Sequence, residues 1–461
     1  MQSADKRVIL HLGIGSFHRA HQAWYLQRLA GLGDESWTLA GGNIRDDMPE
    51  TLAALRAQGG AYTLETVTPR GERSHALIRS IRRVVPFEPD HAAIGEIAAD
   101  PATRIISFTV TEAGYFLDAE DRLDVAAPDI ASDLRALREG GTVRTLYGTL
   151  ARALHSRRIR HAGNLTLLCC DNLRHNGDRS RSGLLQFLEA AGEAELAAWI
   201  REHTTSPNAM VDRITPRPPA DLRSRVREAT GRDDAAPVMA EAFAQWVIED
   251  SFAGERPAWE RVGVEMVKSV APYEEAKIRL LNASHSAIAW GGALLGRRFI
   301  HEGAGDPRIV HLAHDYAADA IACLRPSPVD LEKYRDQVLE RFRNAALADT
   351  NRRVAMDSYA KLQGFVAPTV RERLDRGEPV DGVALLCALY LAFLARWHAG
   401  RLGWEYEDGA LPAPRAHALA GSADPVAALC GDRMLWGHRA GDARLVAAVR
   451  AAAGRVESLA P

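Results

Sequence analysis

The sequence predicts an α/β protein, with a parallel sheet covered on both faces by helices over residues 1–270 and a mostly helical part over 271–461. Three observations carry this prediction. Short, near-continuous apolar runs alternate with helical stretches up to residue 270, as buried parallel strands and their crossover helices do. The first of these runs leads directly into a glycine turn. Beyond residue 270 the apolar spacing is that of long helices, with little strand signal.

Taken in order, residues 7–12 form the first strand candidate, followed by a helix over 20–32 and a second strand over 37–41. Strands over 104–110 and 165–170 flank a helix over 142–158. The Pro- and charge-rich stretch 215–237 reads as a connection, and 262–270 as the last strand. Helices are expected over 274–295, 329–347, 382–398 and 443–456.

Composition narrows the function classes. The 461 residues are 47% hydrophobic and 25% charged, near the globular average, which excludes a disordered chain, a fibre or a disulfide scaffold. Lys and Arg number 57 against 60 Asp and Glu, and this near-neutral balance argues against a nucleic-acid partner. The N-terminal stretch MQSADKRVILHLGIG lacks the longer apolar run of a secretory signal. The longest apolar run, 383–395, falls short of the roughly 20 residues that span a bilayer and is expected to be a buried helix. Five cysteines without C-x-x-C spacing argue against disulfides and structural zinc. The expectation is a cytoplasmic protein, a monomer or small homo-oligomer, with no metal, membrane or nucleic acid as partner.

The first strand runs into Gly13-Ile14-Gly15-Ser16-Phe17-His18-Arg19. Glycines between a parallel strand and its helix let the backbone approach a pyrophosphate closely. The third glycine of G-x-G-x-x-G is absent, with His18 in its place, so a glycine turn of some other α/β protein fits equally well. The second strand ends near Asp46 and Asp47, either of which is placed to bond the ribose hydroxyls of NAD and repel a 2′-phosphate. Arg45 beside them suits NADP instead, and a solvated acidic loop is the blander alternative.

Residues 272–296 hold the chemistry. At about 100° per residue, with Lys277 at zero, Glu274 falls near 60°, His285 near 80° and Asn282 near 140°. Four polar groups thus share one side of an otherwise apolar helix, where each must be hydrogen-bonded or bear its desolvation. A desolvated lysine accepts a hydroxyl proton near neutral pH, and Asn and His donors stabilise a developing alkoxide. A surface Lys–Glu pair with a satisfied core histidine is the competing reading. Glu112, Asn172 and Asp212 follow strand-like segments, where an α/β sheet binds its ligand, or act as turn and cap residues. Arg353 and Lys361, eight residues apart, face either a polyhydroxylated substrate or solvent.

The segments GIGSFHRAHQAWY, TVTEAGYF, CDNLRHNG, NAMVDRITP, QWVIED and YEEAKIRLLNASHS resemble the polyol-specific long-chain dehydrogenases, the mannitol dehydrogenase family. The resemblance implies an N-terminal Rossmann-type NAD-binding domain, a helical substrate domain and no metal. It further implies Lys277 as general base, Asn172 and Asn282 at the oxyanion, His285 orienting substrate and Glu274 relaying the proton. Arg353 and Lys361 match positions that contact substrate hydroxyls. Gly13, Gly15, Phe17, Arg19, Asp46, Asp47 and Glu112 are the expected cofactor residues, and Asp212 is expected at the substrate. AGGNIRDD, LETVTPRGER and PYEEAKIRLLNASHSAIAW are similar to the D-arabinitol 4-dehydrogenase branch, which implies oxidation of D-arabinitol to D-xylulose. Mannitol 2-dehydrogenase and hexuronate (fructuronate or tagaturonate) reductase are alternatives within the same chemistry. An NAD-dependent lyase or glycosidase would give no net NADH. A non-catalytic dinucleotide sensor would be expected to have lost one of Lys277, Asn282 or Asn172.

Overall fold

The computed structural model describes residues 6–118, 120–457 and 459; the first five residues of the N-terminal stretch read above lie outside them. The chain divides into two compact units. One holds the described residues up to Val67 together with Arg73–Ala271, and the other Thr68–Glu72 together with the described residues from Pro272 on.

The first unit is built on β1 (Arg7–Leu12), β2 (Trp37–Gly42), β3 (Tyr62–Val67), β4 (Arg73–Ile78), β5 (Ile81–Val84) and β6 (Thr103–Phe108). It continues with β7 (Leu165–Cys169), β8 (Thr204–Thr205), β9 (Ala209–Asp212), β10 (Val238–Glu241), β11 (Gln245–Glu249) and β12 (Glu265–Val267). Six of these form one parallel sheet in the order β5-β2-β1-β6-β7-β8. Strand β7 is buried along its whole length, as its run LTLLC requires between two helical layers. The order reverses between β1 and β6, which puts a ligand-binding crevice at their carboxyl ends. This is the Rossmann-like architecture expected of the first half.

Several expected elements are corrected. The helix expected over 20–32 is two helices, Ser16–Ala20 and Gln22–Gly31, broken where His21 adopts φ −121° and ψ −89°. Its ring packs edge-on to Tyr25 and Trp246, with Nε2 3.0 Å from the Gln245 carbonyl, and this tertiary packing overrides helical periodicity. The connection over 215–237 contains a helix, Leu222–Thr230, closed by Gly231 in the left-handed region. The strand expected over 262–270 shrinks to β12, because a helical turn at Trp259–Val262 and Gly263 at φ +94° occupy its start. It belongs to a separate small sheet, β12-β11-β9, and a second small sheet, β10-β3-β4, carries the antiparallel β3–β4 hairpin.

The second unit is helical; its β pairing among the described residues is the bridge between Phe299 and Thr350. Asp381–His398 is the central helix, packed against Ala283–Leu294, Pro307–Leu324 and Ala443–Glu457. Its Leu- and Ala-rich sequence favours helix, with Asp381 at the N-terminal end and Arg396 and His398 at the other complementing the dipole. By length and composition it would pass for a membrane span, but Val383–Tyr390, Phe393 and Leu394 are buried in the core of this unit. That agrees with a buried helix.

Candidate active site

In the first unit the glycine turn lies where the strand order reverses. Gly13 has φ +104°, and a Cβ there would come within 2.3 Å of the Thr109 carbonyl oxygen, so the backbones of β1 and β6 approach as only glycine allows. Gly15 differs: its φ is −75°, and a Cβ would meet no protein atom within 4 Å. Both line a cleft of about 350 Å³ with Phe17, Asn43, Asp47 and Thr109–Thr111. Asn43 braces this cleft, accepting a hydrogen bond from Ile14 N at 2.9 Å and donating to Asp47 Oδ1 at 3.2 Å. An acid is thereby held at the end of the second strand.

The missing third glycine has a structural substitute. His18 stacks on His11 of β1 with ring centroids 3.5 Å apart, while His11 contacts Ser107 Oγ at 2.8 Å and the Gly13 carbonyl at 3.1 Å. Helix and strand therefore pack through an imidazole pair rather than through a bare backbone. Burial lowers the His11 pKa to about 3, and burial together with the neighbouring His11 drives His18 well below its ordinary value.

Asp171, after β7, shapes the far wall. Its carboxylate accepts from Val110 N at 2.9 Å, Thr111 N at 3.0 Å and the Tyr115 hydroxyl at 2.5 Å. These bonds fix Thr111 at φ +70°, a strained setting for a β-branched residue and one typical of functional loops.

In the second unit, Ala271–Ala276 is followed by a π-helical segment, Lys277–Asn282, and then by Ala283–Leu294. A π turn closes at i→i+5, so Lys277 and Asn282 come round nearly one above the other instead of 140° apart. Such bulges are frequent at functional sites. Lys277 and Glu274 are buried, with 7% and 5% of their surface exposed. Arg279, in the same segment, donates to Glu372 at 2.6 and 2.9 Å and to Glu275 at 2.8 Å, which anchors the π turn to the rest of the unit.

His285, one turn further on, stacks on Phe342 at 4.5 Å and puts Nε2 3.4 Å from Asp349 Oδ2. Burial lowers its pKa against the pull of Asp349, with the charges of Arg353 and Lys361 acting in the same direction as burial. Asp349 itself takes both arms of Arg353 at 2.6 Å. Burial alone would raise its carboxyl, but His285 and Arg353 outweigh burial and hold it far below the usual range. Thr350 caps the short helix Asn351–Ala355 by accepting from Arg353 N, which sets the direction of that side chain. Lys361 donates to the Val354 and Met356 carbonyls, both at 2.6 Å, and burial lowers its pKa.

The structure thus gathers Gly13, Gly15, Phe17 and Asp47 at one cleft, and His285, Arg353 and Lys361 around Asp349. Arg19 is a correction. Only 2% exposed, it donates to the Ala236 carbonyl at 2.6 Å and lies over the Tyr62 ring, so it braces β10 rather than facing the cleft. Asp46 and Glu112 are exposed and do not line the cleft. Asn172 is exposed just beyond β7, and Asp212 is buried at the end of β9. Sequence reasoning passed over Asp349, whose signal was an acid four residues before Arg353.

Two family models match the chain, the mannitol dehydrogenase Rossmann domain over residues 7–261 and the mannitol dehydrogenase C-terminal domain over residues 269–457. A D-arabinitol 4-dehydrogenase of Ralstonia nicotianae is 57% identical over 454 residues, covering 98% of this chain and 97% of the relative. A D-arabinitol 4-dehydrogenase of Klebsiella pneumoniae is 48% identical over 451 residues, covering 98% of each. Among solved structures, a Pseudomonas fluorescens mannitol 2-dehydrogenase, described as a ternary complex with NAD and D-mannitol, superposes with a TM-score of 0.82. The identity there is 34%, over 98% of this chain and 93% of that one.

Proposed function

Since the chain belongs to the mannitol dehydrogenase family, we propose that it is an NAD-dependent polyol dehydrogenase that oxidises D-arabinitol to D-xylulose. The observation that carries the reading is a buried lysine, Lys277, on a π-helical turn that brings Asn282 round beside it.

The first unit is the cofactor unit and the second the substrate unit, the boundary near residue 270 falling between Ala271 and Pro272. The residues present suit NAD: the open space at Gly15 admits a ligand where a side chain would stand, and Asp47 faces the cleft as the acid that favours an unphosphorylated ribose. Gly13, Gly15, Phe17 and Asp47 would hold it. Arg45 also lines the cleft, with contacts to the Arg144 carbonyl at 3.4 Å and Asp129 at 3.7 Å, so the preference for NAD rests on Asp47. When bound, NAD supplies the acceptor for the hydride from the carbinol carbon.

Lys277, as the neutral amine, takes the hydroxyl proton as the C–H bond breaks, so the carbinol oxygen never carries a full charge. Asn282 and, by the family's motif, Asn172 donate hydrogen bonds to that oxygen. His285, Arg353, Lys361 and Asp212 hold the remaining hydroxyls, and Glu274 passes the proton on towards solvent. None of these steps calls on a metal. The same reading makes the protein cytoplasmic and a monomer or small homo-oligomer.

The test is NADH formation by the purified protein on D-arabinitol, mannitol, sorbitol and xylitol, with NAD and with NADP. D-arabinitol with NAD is expected to give the highest kcat/KM, and turnover is expected to survive exhaustive chelation. Absence of NADH with all four refutes the polyol reading; a preference for mannitol moves the substrate but not the chemistry.

A further inference from the structure

We propose that Asp349 is a positioning residue for the polyol. It holds His285 as the tautomer with its proton on Nε2, so that Nδ1 offers a lone pair to a substrate hydroxyl, and it aims the Arg353 guanidinium at the same ligand. The inference rests on the reading of this unit as the substrate unit and adds to it a residue and a direction of hydrogen bonding.

The argument is geometric. One carboxylate, with 15% of its side chain exposed, serves two neighbours. Arg353 Nε and Nη2 each lie 2.6 Å from one of its oxygens, a planar bidentate pair that fixes the guanidinium although 68% of that side chain is open to solvent. On the other side, Oδ2 is 3.4 Å from His285 Nε2. No hydrogen bond closes at that separation: Nε2 is buried without a partner among the described residues, and the carboxylate is the acceptor it faces.

The carboxylate has no proton to give, so the nitrogen facing it is the donor, and the neutral ring then has Nδ1 as its acceptor. The other described groups that act on the ring favour that neutral form. Phe342 covers one face, and Arg353 and Lys361 bring positive charge. Lys361 cannot swing away cheaply, since its ammonium is tied to two carbonyls. An imidazole acceptor beside two cationic donors, Arg353 and Lys361, forms a set that reads a hydroxyl in both senses, its hydrogen and its oxygen. A polyol presents such hydroxyls in a row.

The test uses Asp349→Asn and Asp349→Glu in the full-length enzyme. For Asp349→Asn the expected result is a KM for D-arabinitol raised about tenfold or more, the scale of one hydrogen bond to a charged group, with NAD affinity within about twofold of wild type. In ketose reduction with NADH, where a protonated Lys277 is the competent form, the acid limb is assigned to His285. It is expected to move to lower pH in Asp349→Asn, because the carboxylate that raises the imidazole pKa is gone. Asp349→Glu is expected to recover part of the polyol KM, and it carries the test if the asparagine variant does not fold. Long-range 15N correlation spectra of histidine-labelled wild type, assigned with His285→Asn, are expected to show the Nε2–H tautomer.

An unmoved polyol KM and acid limb overturn the proposal. So does a loss of NAD and polyol affinity together with a fall in Tm, which is what a purely structural carboxylate would give. A wild type that makes no NADH from polyols refutes the proposed function instead, and the tautomer spectrum still decides the placement of the proton.

Discussion

Gly13 and Gly15 are both glycines of one turn, yet the structure assigns them opposite costs. Gly13→Ala forces a side chain onto φ +104°, at about 1–3 kcal/mol, and drives its Cβ to 2.3 Å from the Thr109 carbonyl oxygen, at about 1–3 kcal/mol more. The sum, roughly 2–6 kcal/mol, lowers the melting temperature by on the order of 10 °C. Gly15→Ala meets no protein atom within 4 Å at φ −75°. As a helix N-cap it loses some tenths of a kcal/mol, and the stiffer unfolded chain returns a similar amount, so stability stays within about 1 kcal/mol of wild type. Its methyl group instead fills space reserved for the dinucleotide, and the Kd for NAD should rise about tenfold or more, the equivalent of about 1.4 kcal/mol. Calorimetry and NAD titration by fluorescence separate the two effects. A Gly15→Ala protein that binds NAD as tightly as wild type would refute the assignment of this turn to the cofactor, and a Gly13→Ala protein of unchanged Tm would refute the close approach of β1 and β6.

Other outcomes follow from the buried groups. His11 and His18 both have native pKa values below their unfolded value of about 6.5, so unfolding takes up protons as the pH falls. Stability should therefore be unaffected above pH ~7 and should decline from about pH 6 towards pH 3, by about 1.4 kcal/mol per pH unit for each histidine. Thermal melts against pH measure this, and His18→Phe, which keeps the ring stack without the titration, should flatten the slope. Among the described residues, Glu372→Ala leaves the Arg279 guanidinium, with 8% of its side chain exposed, Glu275 as its carboxylate partner. Urea denaturation should register a loss of about 1–3 kcal/mol, and an unchanged midpoint would mean that the π turn is not anchored there.

Much of this arrangement is legible in the residues themselves. The buried first strand and the glycine turn at Gly13 and Gly15 mark an α/β crossover, although the turn alone does not single out a dinucleotide, and the apolar run 383–395, too short for a bilayer, reads as the core helix it is. The small sheets were harder to read. Tyr62–Val67 and Arg73–Ile78 are short, one is fully or nearly buried while the other is largely exposed, and their partner Val238–Glu241 lies far along the chain. Arg19 sits in the right loop, but nothing local says that its guanidinium turns inward to Ala236. The π turn leaves no periodic mark, since it changes the angle per residue over only six positions, and an α-helical count therefore splays Lys277 and Asn282 apart. Asp349 lies 64 positions beyond His285, and the two meet only through the packing of helices.

The central claim is that Lys277 is the base. Its direct test is the pH-dependent kcat of Lys277→Ala on D-arabinitol, with NAD affinity measured in parallel. The account predicts a kcat lower by about 10²–10⁴-fold, loss of the alkaline rise in rate, and an NAD Kd within about twofold of wild type. Near-full turnover with the pH profile intact would contradict it.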